Sequence, residues 1–143
     1  MIEIKGDLWR YEGANALCIP TNGIVTFRGD NVMGAGVAKQ ARHLFPQIAS
    51  VLGEAIKIKG NSVCLLPQFM HKGAYLISFP TKKDWRNDSD IELIKKSALC
   101  LKELVDKNEW EKVLLPRVGC GCGGLLWTDV ESILSVFLDD RFI

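Results

Sequence analysis

Two short stretches are rich enough in glycine to do chemistry with the backbone itself. Asp30-Asn31-Val32-Met33-Gly34-Ala35-Gly36-Val37 lies between an apolar run and a segment of helical spacing, and Gly119-Cys120-Gly121-Cys122-Gly123-Gly124 follows another apolar run. Without a Cβ, such loops bring N–H groups close to an anion, and the positive end of a following helix adds to the attraction. The first stretch is neither the G-x-x-x-x-G-K-[ST] of nucleotide triphosphatases nor a complete G-x-G-x-x-G, which disfavours those two phosphate-binding families. Taken alone, it also fits a tight turn that packs a helix on a sheet. The second stretch spends four of six positions on glycine, an entropic cost that a plain connector has no reason to carry. It leads towards a second helix start, whose N–H groups could converge on the same ligand. Two such cradles suggest a diphosphate.

Other candidates are weaker. Cys120 and Cys122 form C-x-C with no second Cys or His pair nearby, since His43 and His71 are far off in sequence; two ligands do not make a zinc site, and no metal is expected. No histidine adjoins either thiol, so both read as small loop-packing residues, and Cys18, Cys64 and Cys100 as core. Pro80-Thr81-Lys82-Lys83-Asp84-Trp85-Arg86 puts three cations and an aromatic ring into seven residues. On residue chemistry alone this reads as a solvated basic loop.

The elements that must position these loops follow from periodicity. Ile2-Glu3-Ile4-Lys5 alternates and residues 15–20 are apolar, so both are predicted strands. Val37, Ala38, Ala41, Leu44 and Phe45 have helical spacing up to Pro46; Ile48, Val51, Leu52, Ala55 and Ile56 predict a second helix, closed by Gly60. Residues 62–66 and 74–79 predict two strands joined by a turn at Gly73. Ser89 with Glu92 reads as a capping box for a helix with Ile91, Ile94, Ala98, Leu101, Leu104 and Val105 on its apolar face. Residues 112–116 read as a buried strand, and Thr128 with Glu131 as a capping box for a last helix ending near Leu138. Alternating strands and helices predict an α/β fold, a three-layer α/β/α sandwich with the site at the carboxyl edge of its sheet.

Composition fits one domain over residues 1–143: 48% hydrophobic and 24% charged residues are ordinary for a globular protein. A net charge of +1 argues against binding long nucleic acid mainly by counterion release. Five cysteines without framework spacing, no apolar run of membrane length and no signal-like start point to a cytoplasmic protein away from membranes.

Together the segments resemble a macro domain, of the branch that holds the DarG-type antitoxins and the terminal ADP-ribose protein glycohydrolase. The resemblance covers nearly the whole chain and rests on Lys5-Gly6-Asp7-Leu8, Val32-Met33-Gly34-Ala35-Gly36-Val37-Ala38, Phe79-Pro80-Thr81-Lys82-Lys83-Asp84-Trp85-Arg86 and Leu115-Pro116-Arg117-Val118-Gly119-Cys120-Gly121, with Gly124 and Trp127. It implies a mixed central sheet and a site for ADP-ribose that needs no cofactor. By resemblance, Asp7 would accept from the adenine amino group, with Leu8 beside it. Met33, Gly34, Ala35, Gly36 and Val37 would wrap the diphosphate together with Arg117, Val118, Gly119, Cys120, Gly121, Cys122 and Gly123. Asn22 would stand near the distal ribose, and Thr81 would also line the ligand site.

Lys82 matches the lysine implicated in cleaving the bond at that ribose, as a nucleophile or as a charged stabiliser of the leaving group. Attack would require a lowered pKa, for which Lys83 and Arg86 are nearby cations. The protein-directed glycohydrolase carries an acidic residue where this chain has Gly123, so the resemblance leans towards ADP-ribosylated single-stranded DNA. Trp85 and Arg86 would then suit stacking and phosphate contact with the modified nucleotide. The expectation is a monomeric ADP-ribosyl glycohydrolase that opposes a cognate ADP-ribosyltransferase toxin. Alternatives are a non-catalytic ADP-ribose binding module, a protein-directed hydrolase and an ADP-ribose 1″-phosphate phosphatase. The family's last strand is expected to be nearly absent, as is the antitoxins' C-terminal partner-binding region.

Overall fold

Strand alternation decides the architecture, because successive residues of a strand face opposite sides of its sheet. In the computed structural model, which describes all 143 residues, the first strand, β1, is Ala16–Asn22. Its Ala16 and Cys18 enter one apolar cluster while Leu17 and Ile19 enter another. Both faces of β1 therefore need a covering layer. Helices α1 (Gly36–Leu44) and α2 (Ile48–Lys59) cover one face through Ala41, Ile48, Ala49 and Leu52. Helices α3 (Ile91–Asn108) and α4 (Trp127–Phe137) cover the other through Ile94, Ala98, Leu101, Val130 and Leu134. The result is the expected three-layer α/β/α sandwich.

The sheet is completed by β2 (Cys64–His71), β3 (Ala74–Lys82) and β4 (Val113–Leu114), in the order β2-β3-β1-β4. β1 runs parallel to β3 and β4, whereas β2 and β3 form an antiparallel hairpin turning at Lys72 and Gly73. The sheet is thus mixed. Gly60 ends α2 at φ +80, a conformation in which a Cβ would be strained.

Two expected elements differ. Residues 2–5 form no strand: Ile2 N donates to Phe142 O at 2.9 Å, and Ile2 and Ile4 are about half exposed. Their would-be neighbour, residues 141–143, bonds Asp139 O through Phe142 N and otherwise turns to residues 113–115. Val113 N donates to Arg141 O, Ile143 N to Val113 O, and Leu115 N to Ile143 O. The predicted strand over residues 112–116 shrinks to two residues. The last strand survives as a single parallel bridge from Val113 to the fully buried Phe142.

Neither capping box forms. Asp90 caps α3, its Oδ1 accepting from Glu92 N and Leu93 N, because a carboxylate one residue closer to the helix displaces the Ser89 hydroxyl. α4 starts one residue before Thr128 and has no side-chain cap. No helix is long and apolar enough to cross a membrane.

Candidate functional site

Parallel strands deliver their carboxyl ends to one edge of a sheet, and here β1 and β3 end together with Asn22 paired to Lys82. A cleft of about 750 Å³ opens above them, within the usual range for small-ligand sites. The two glycine-rich loops form its walls: Gly34, Ala35, Gly36 and Val37 on one side, residues 117–123 on the other. Asn22, Thr81 and Lys82 line it between them.

Each wall offers backbone donors. Ala35 precedes α1 in an extended conformation without a side-chain cap, and Gly36 opens the helix at φ +57, so the first N–H groups of α1 are left for a ligand. On the other wall a single 3-10 turn, Gly121–Gly123, is also uncapped. Gly121 takes φ +63 in open space, whereas Gly119 is packed: a Cβ there would lie 2.8 Å from Ile94 Cδ1. The start of α4 plays no part in this cleft, contrary to expectation, since its Trp127 lines a different one.

That second cleft, of about 710 Å³, contains Asp7 and Leu8 and shares Pro116 and Arg117 with the first. Asp7 caps a short 3-10 turn, Leu8–Arg10, with Oδ1 accepting from Trp9 N at 2.9 Å. Arg117 stands at the junction, paired with Glu3 and placed 5.3 Å over the Trp127 ring. Met33 lines neither cleft. Its side chain is buried in the core beneath the loop, because the polypeptide passes from strand to helix there and the largest apolar residue turns inward.

Of the two cations in the first cleft, only Lys82 lacks a carboxylate partner. Its Nζ donates to Cys122 O at 3.1 Å. Lys83 and Arg86 are already paired, with Asp90 at 3.7 Å and with Asp84 at 2.5 Å, so their charge is largely answered before it reaches Lys82. The Arg86 hydrogen bonds hold the Asp84 carboxyl down at about 2. Trp85, expected at the substrate, is half exposed and lines the cleft with the Arg86 guanidinium 5.8 Å over its ring.

Asn22 is committed inside the fold. Its Nδ2 donates to Val32 O at 2.7 Å and its Oδ1 accepts from Ile24 N at 3.0 Å and from Asn31 Nδ2 at 3.3 Å. Thr81 and Val118 are buried beneath the ligand space.

The cysteines separate. Cys18 is fully buried and desolvation raises its pKa far above the ordinary thiol value, while Cys64 and Cys100 are only partly buried. Cys120 is half-buried, its thiol pushed up by desolvation against the opposing charge of Arg117. Cys122 is exposed and so does not pack the loop.

Ser89 is the site residue that sequence reasoning missed. It was expected to cap α3; instead it lines the cleft, 8% exposed, with its hydroxyl oxygen buried and unpartnered. Its N–H donates to Gly123 O at 2.8 Å, and a Cβ on Gly123 would lie 2.4 Å from its Oγ. Only the run Asp88-Ser89-Asp90, with more cap candidates than one helix uses, hinted at this.

A family model for the macro domain matches residues 28–134. The chain belongs to the macro domain family. Among curated relatives of this macro domain, a "DNA ADP-ribosyl transferase-DNA ADP-ribosyl glycohydrolase fusion protein" of Thermosipho africanus is 26% identical over 94% of the chain and 38% of its own length. The chain spans about a third of the length of its curated mycobacterial relatives. Among solved structures, the macrodomain of Mycobacterium tuberculosis DarG is 28% identical, with a TM-score of 0.79 over 97% of this chain and 92% of that one. Thermosipho africanus DarTG in complex with ADP-ribose is 26% identical, with a TM-score of 0.79 over 96% of this chain and 39% of that one. The macro domain therefore shares its fold with DarG macrodomains along almost its entire length.

Proposed function

We propose that this macro domain, one domain over residues 1–143, is an ADP-ribosyl glycohydrolase that removes ADP-ribose from nucleobases of single-stranded DNA. The observation that carries the reading is Lys82: a cation without a carboxylate partner, at the carboxyl edge of the sheet, between two loops built to bind an anion through their backbones. A relative named for DNA ADP-ribosyl glycohydrolase activity and a structurally similar protein in complex with ADP-ribose support the choice of ligand. In this reading the adenine lies in the second cleft against Asp7 and Leu8. The diphosphate passes Arg117 at the junction and rests between Gly34, Ala35, Gly36, Val37 and the loop from Val118 to Gly123. The distal ribose then stands at Asn22, Thr81 and Lys82.

The reaction breaks the bond between the anomeric carbon and the base nitrogen; the hydroxyl of water goes to the carbon and its proton to the leaving base. Lys82 contributes as the ammonium that stabilises charge on the departing base, its Nζ placed by the hydrogen bond to Cys122 O. The bare glycine at position 123 places no carboxylate beside the reacting carbon, which favours a nucleobase substrate over a carboxylate-linked one. A cognate ADP-ribosyltransferase is the expected source of the modified DNA.

The test compares release of ADP-ribose from modified single-stranded DNA, from glutamate-modified protein and from ADP-ribose 1″-phosphate. Release from DNA alone is expected, Lys82→Ala abolishing turnover while retaining ADP-ribose binding by calorimetry. Binding without release from any substrate would replace this reading with a non-catalytic binding module. A borohydride-trapped lysine adduct would replace the electrostatic role of Lys82 with a covalent one.

A further inference from the structure

Between Asn22 and Gly34 the chain forms a hairpin whose tip serves no purpose inside the fold. Val25 and Asn31 make an antiparallel bridge, Val32 N donates to Ile24 O at 3.2 Å, and Gly29 N closes the tip on Thr26 O at 2.9 Å. The hairpin is held firmly. Asn31 Nδ2 donates to Asn22 O and Ile24 O, Asn31 N donates to Ala49 O, and the hairpin presses so closely on α2 that a Cβ on Gly53 would overlap Gly29 O. On this fixed support Phe27 is 96% exposed, with the Arg28 guanidinium 5.8 Å over its ring.

A single exposed apolar residue is unremarkable on a protein surface. Here, however, the arrangement is repeated. Trp85 and Arg86 form a second exposed aromatic-arginine neighbour pair with the same 5.8 Å geometry, and Trp85 lines the catalytic cleft. The segments that carry the two pairs are joined by a hydrogen bond from Gly23 N to Lys83 O, 3.1 Å. At about 3.3–3.6 Å of chain per residue, Phe27 lies within roughly 14 Å of that junction and Trp85 within roughly 7 Å. The Trp85 pair therefore stands at the Lys82 end of the cleft, and the Phe27 pair outside it, within reach of the next nucleotides of a strand. Lys57, whose Nζ lies 3.6 Å from where a Gly29 Cβ would be, adds a cation at the hairpin.

An aromatic face beside a cation suits one base and its phosphate, and the Trp85 ring, whose Arg86 is already held by Asp84, suits a neighbouring base. One phenylalanine is too little apolar area for a stable protein interface of about 800 Å² a side. We propose, resting on the DNA reading above, that the 23–32 hairpin is a second nucleic-acid contact. A base flanking the modified nucleotide stacks on Phe27 while Arg28 takes its phosphate.

Two measurements decide this. The first is binding of an unmodified, fluorescently labelled single strand of about twelve nucleotides by Lys82→Ala protein, with and without Phe27→Ala or Arg28→Gln. Either second substitution is expected to weaken binding by about tenfold, a modest value for one stacked base, and Arg28→Gln to lower the salt dependence by about one ion. Equal binding with and without Phe27→Ala, or no binding of the strand at all, overturns the proposal. The second is the ratio of kcat/KM on an ADP-ribosylated strand to that on an ADP-ribosylated mononucleoside, expected to fall about tenfold in Phe27→Ala. An unchanged ratio refutes the hairpin contact while leaving glycohydrolase activity standing. Absence of cleavage with strand binding intact refutes the activity and not the contact.

Discussion

Gly123→Ala offers the sharpest test of how the second glycine loop is built. Gly123 is not among the glycines with positive φ, so its backbone conformation is open to any residue and alanine there carries no torsional penalty. The cost is steric. An added Cβ would lie 2.4 Å from Ser89 Oγ and 3.3 Å from Ser89 Cβ, and the first distance is one that real contacts do not adopt. Ser89 cannot retreat along its backbone, because its N–H is bonded to Gly123 O and the next residue, Asp90, is bonded to Thr81 O while capping α3. The Oγ must rotate or the loop must lift.

Forced fits of this kind cost about 1–3 kcal/mol, or a fall in melting temperature of roughly 3–10 °C for a domain of this size. Ser89→Ala should be neutral or slightly stabilising by itself, since the hydroxyl it removes is buried and unpartnered. In combination it should recover most of the Gly123→Ala loss. Urea unfolding followed by tryptophan fluorescence measures all four proteins of this cycle. Strict additivity, or a neutral Gly123→Ala, would show that the Ser89 hydroxyl does not fill the space above Gly123.

Three further outcomes follow from the same geometry. Gly36→Ala meets nothing within 4 Å but is held at φ +57, so its penalty of about 1–2 kcal/mol comes from the backbone, and Gly36→Asn should cost less than Gly36→Ala in the same urea assay. Asp90→Ala removes the acceptor of two helix N–H groups and should destabilise by about 1 kcal/mol, whereas Thr128→Ala, which removes no cap, should be near neutral. The Asp84 carboxyl, held at about 2 by Arg86, should titrate there in an NMR pH series. Because its folded value is depressed, its contribution to stability is complete above the ordinary carboxylate value and lost as pH falls towards 2; Arg86→Gln should move the titration back up.

The layers of the fold were legible because burial on both faces of β1 and one apolar stripe on each helix leave a direct mark in residue order. What failed depended on partners distant in sequence or on single-residue competition. The alternation of Ile2-Glu3-Ile4-Lys5 is a sound strand pattern, yet an edge strand needs a neighbour with free backbone groups, and at Phe142 only the carbonyl is left for Ile2 because the N–H is bonded to Asp139 O. Ser89 and Asp90 are both competent caps, and Ser89 is drawn away by its N–H, which donates to Gly123 O on another loop, a contact that no local pattern reveals. The 23–32 hairpin was invisible for a related reason. It is held by the amides of Asn22 and Asn31 and by close approach to Gly53, not by alternating strand residues.

In the site, the glycine spacing pointed to two anion-binding walls, and the structure brings them to one cleft. Glycine signals where backbone is exposed to a ligand, and this is a property of composition. It does not signal which neighbouring side chains turn inward, so Met33 was expected at the ligand and is found in the core. Nor does it show which cations are free. Three lie in Lys82-Lys83-Asp84-Trp85-Arg86, and only their ion pairs with Asp90 and Asp84 single out Lys82.

That selection bears on how substrate choice is built. A backbone cradle binds a diphosphate whatever is attached beyond it, so discrimination must come from side chains around the distal ribose. On the reading proposed above, that region holds one carboxylate-free lysine, a half-exposed tryptophan and a glycine whose missing side chain has been replaced by the Ser89 hydroxyl from below. An acidic residue at position 123 would have to displace that hydroxyl before its carboxylate could reach the cleft. On the reading proposed above, the choice between a nucleobase-directed and a carboxylate-directed site rests on the pair Ser89 and Gly123, and a side chain at position 123 fits only once the Ser89 hydroxyl has been removed or turned away.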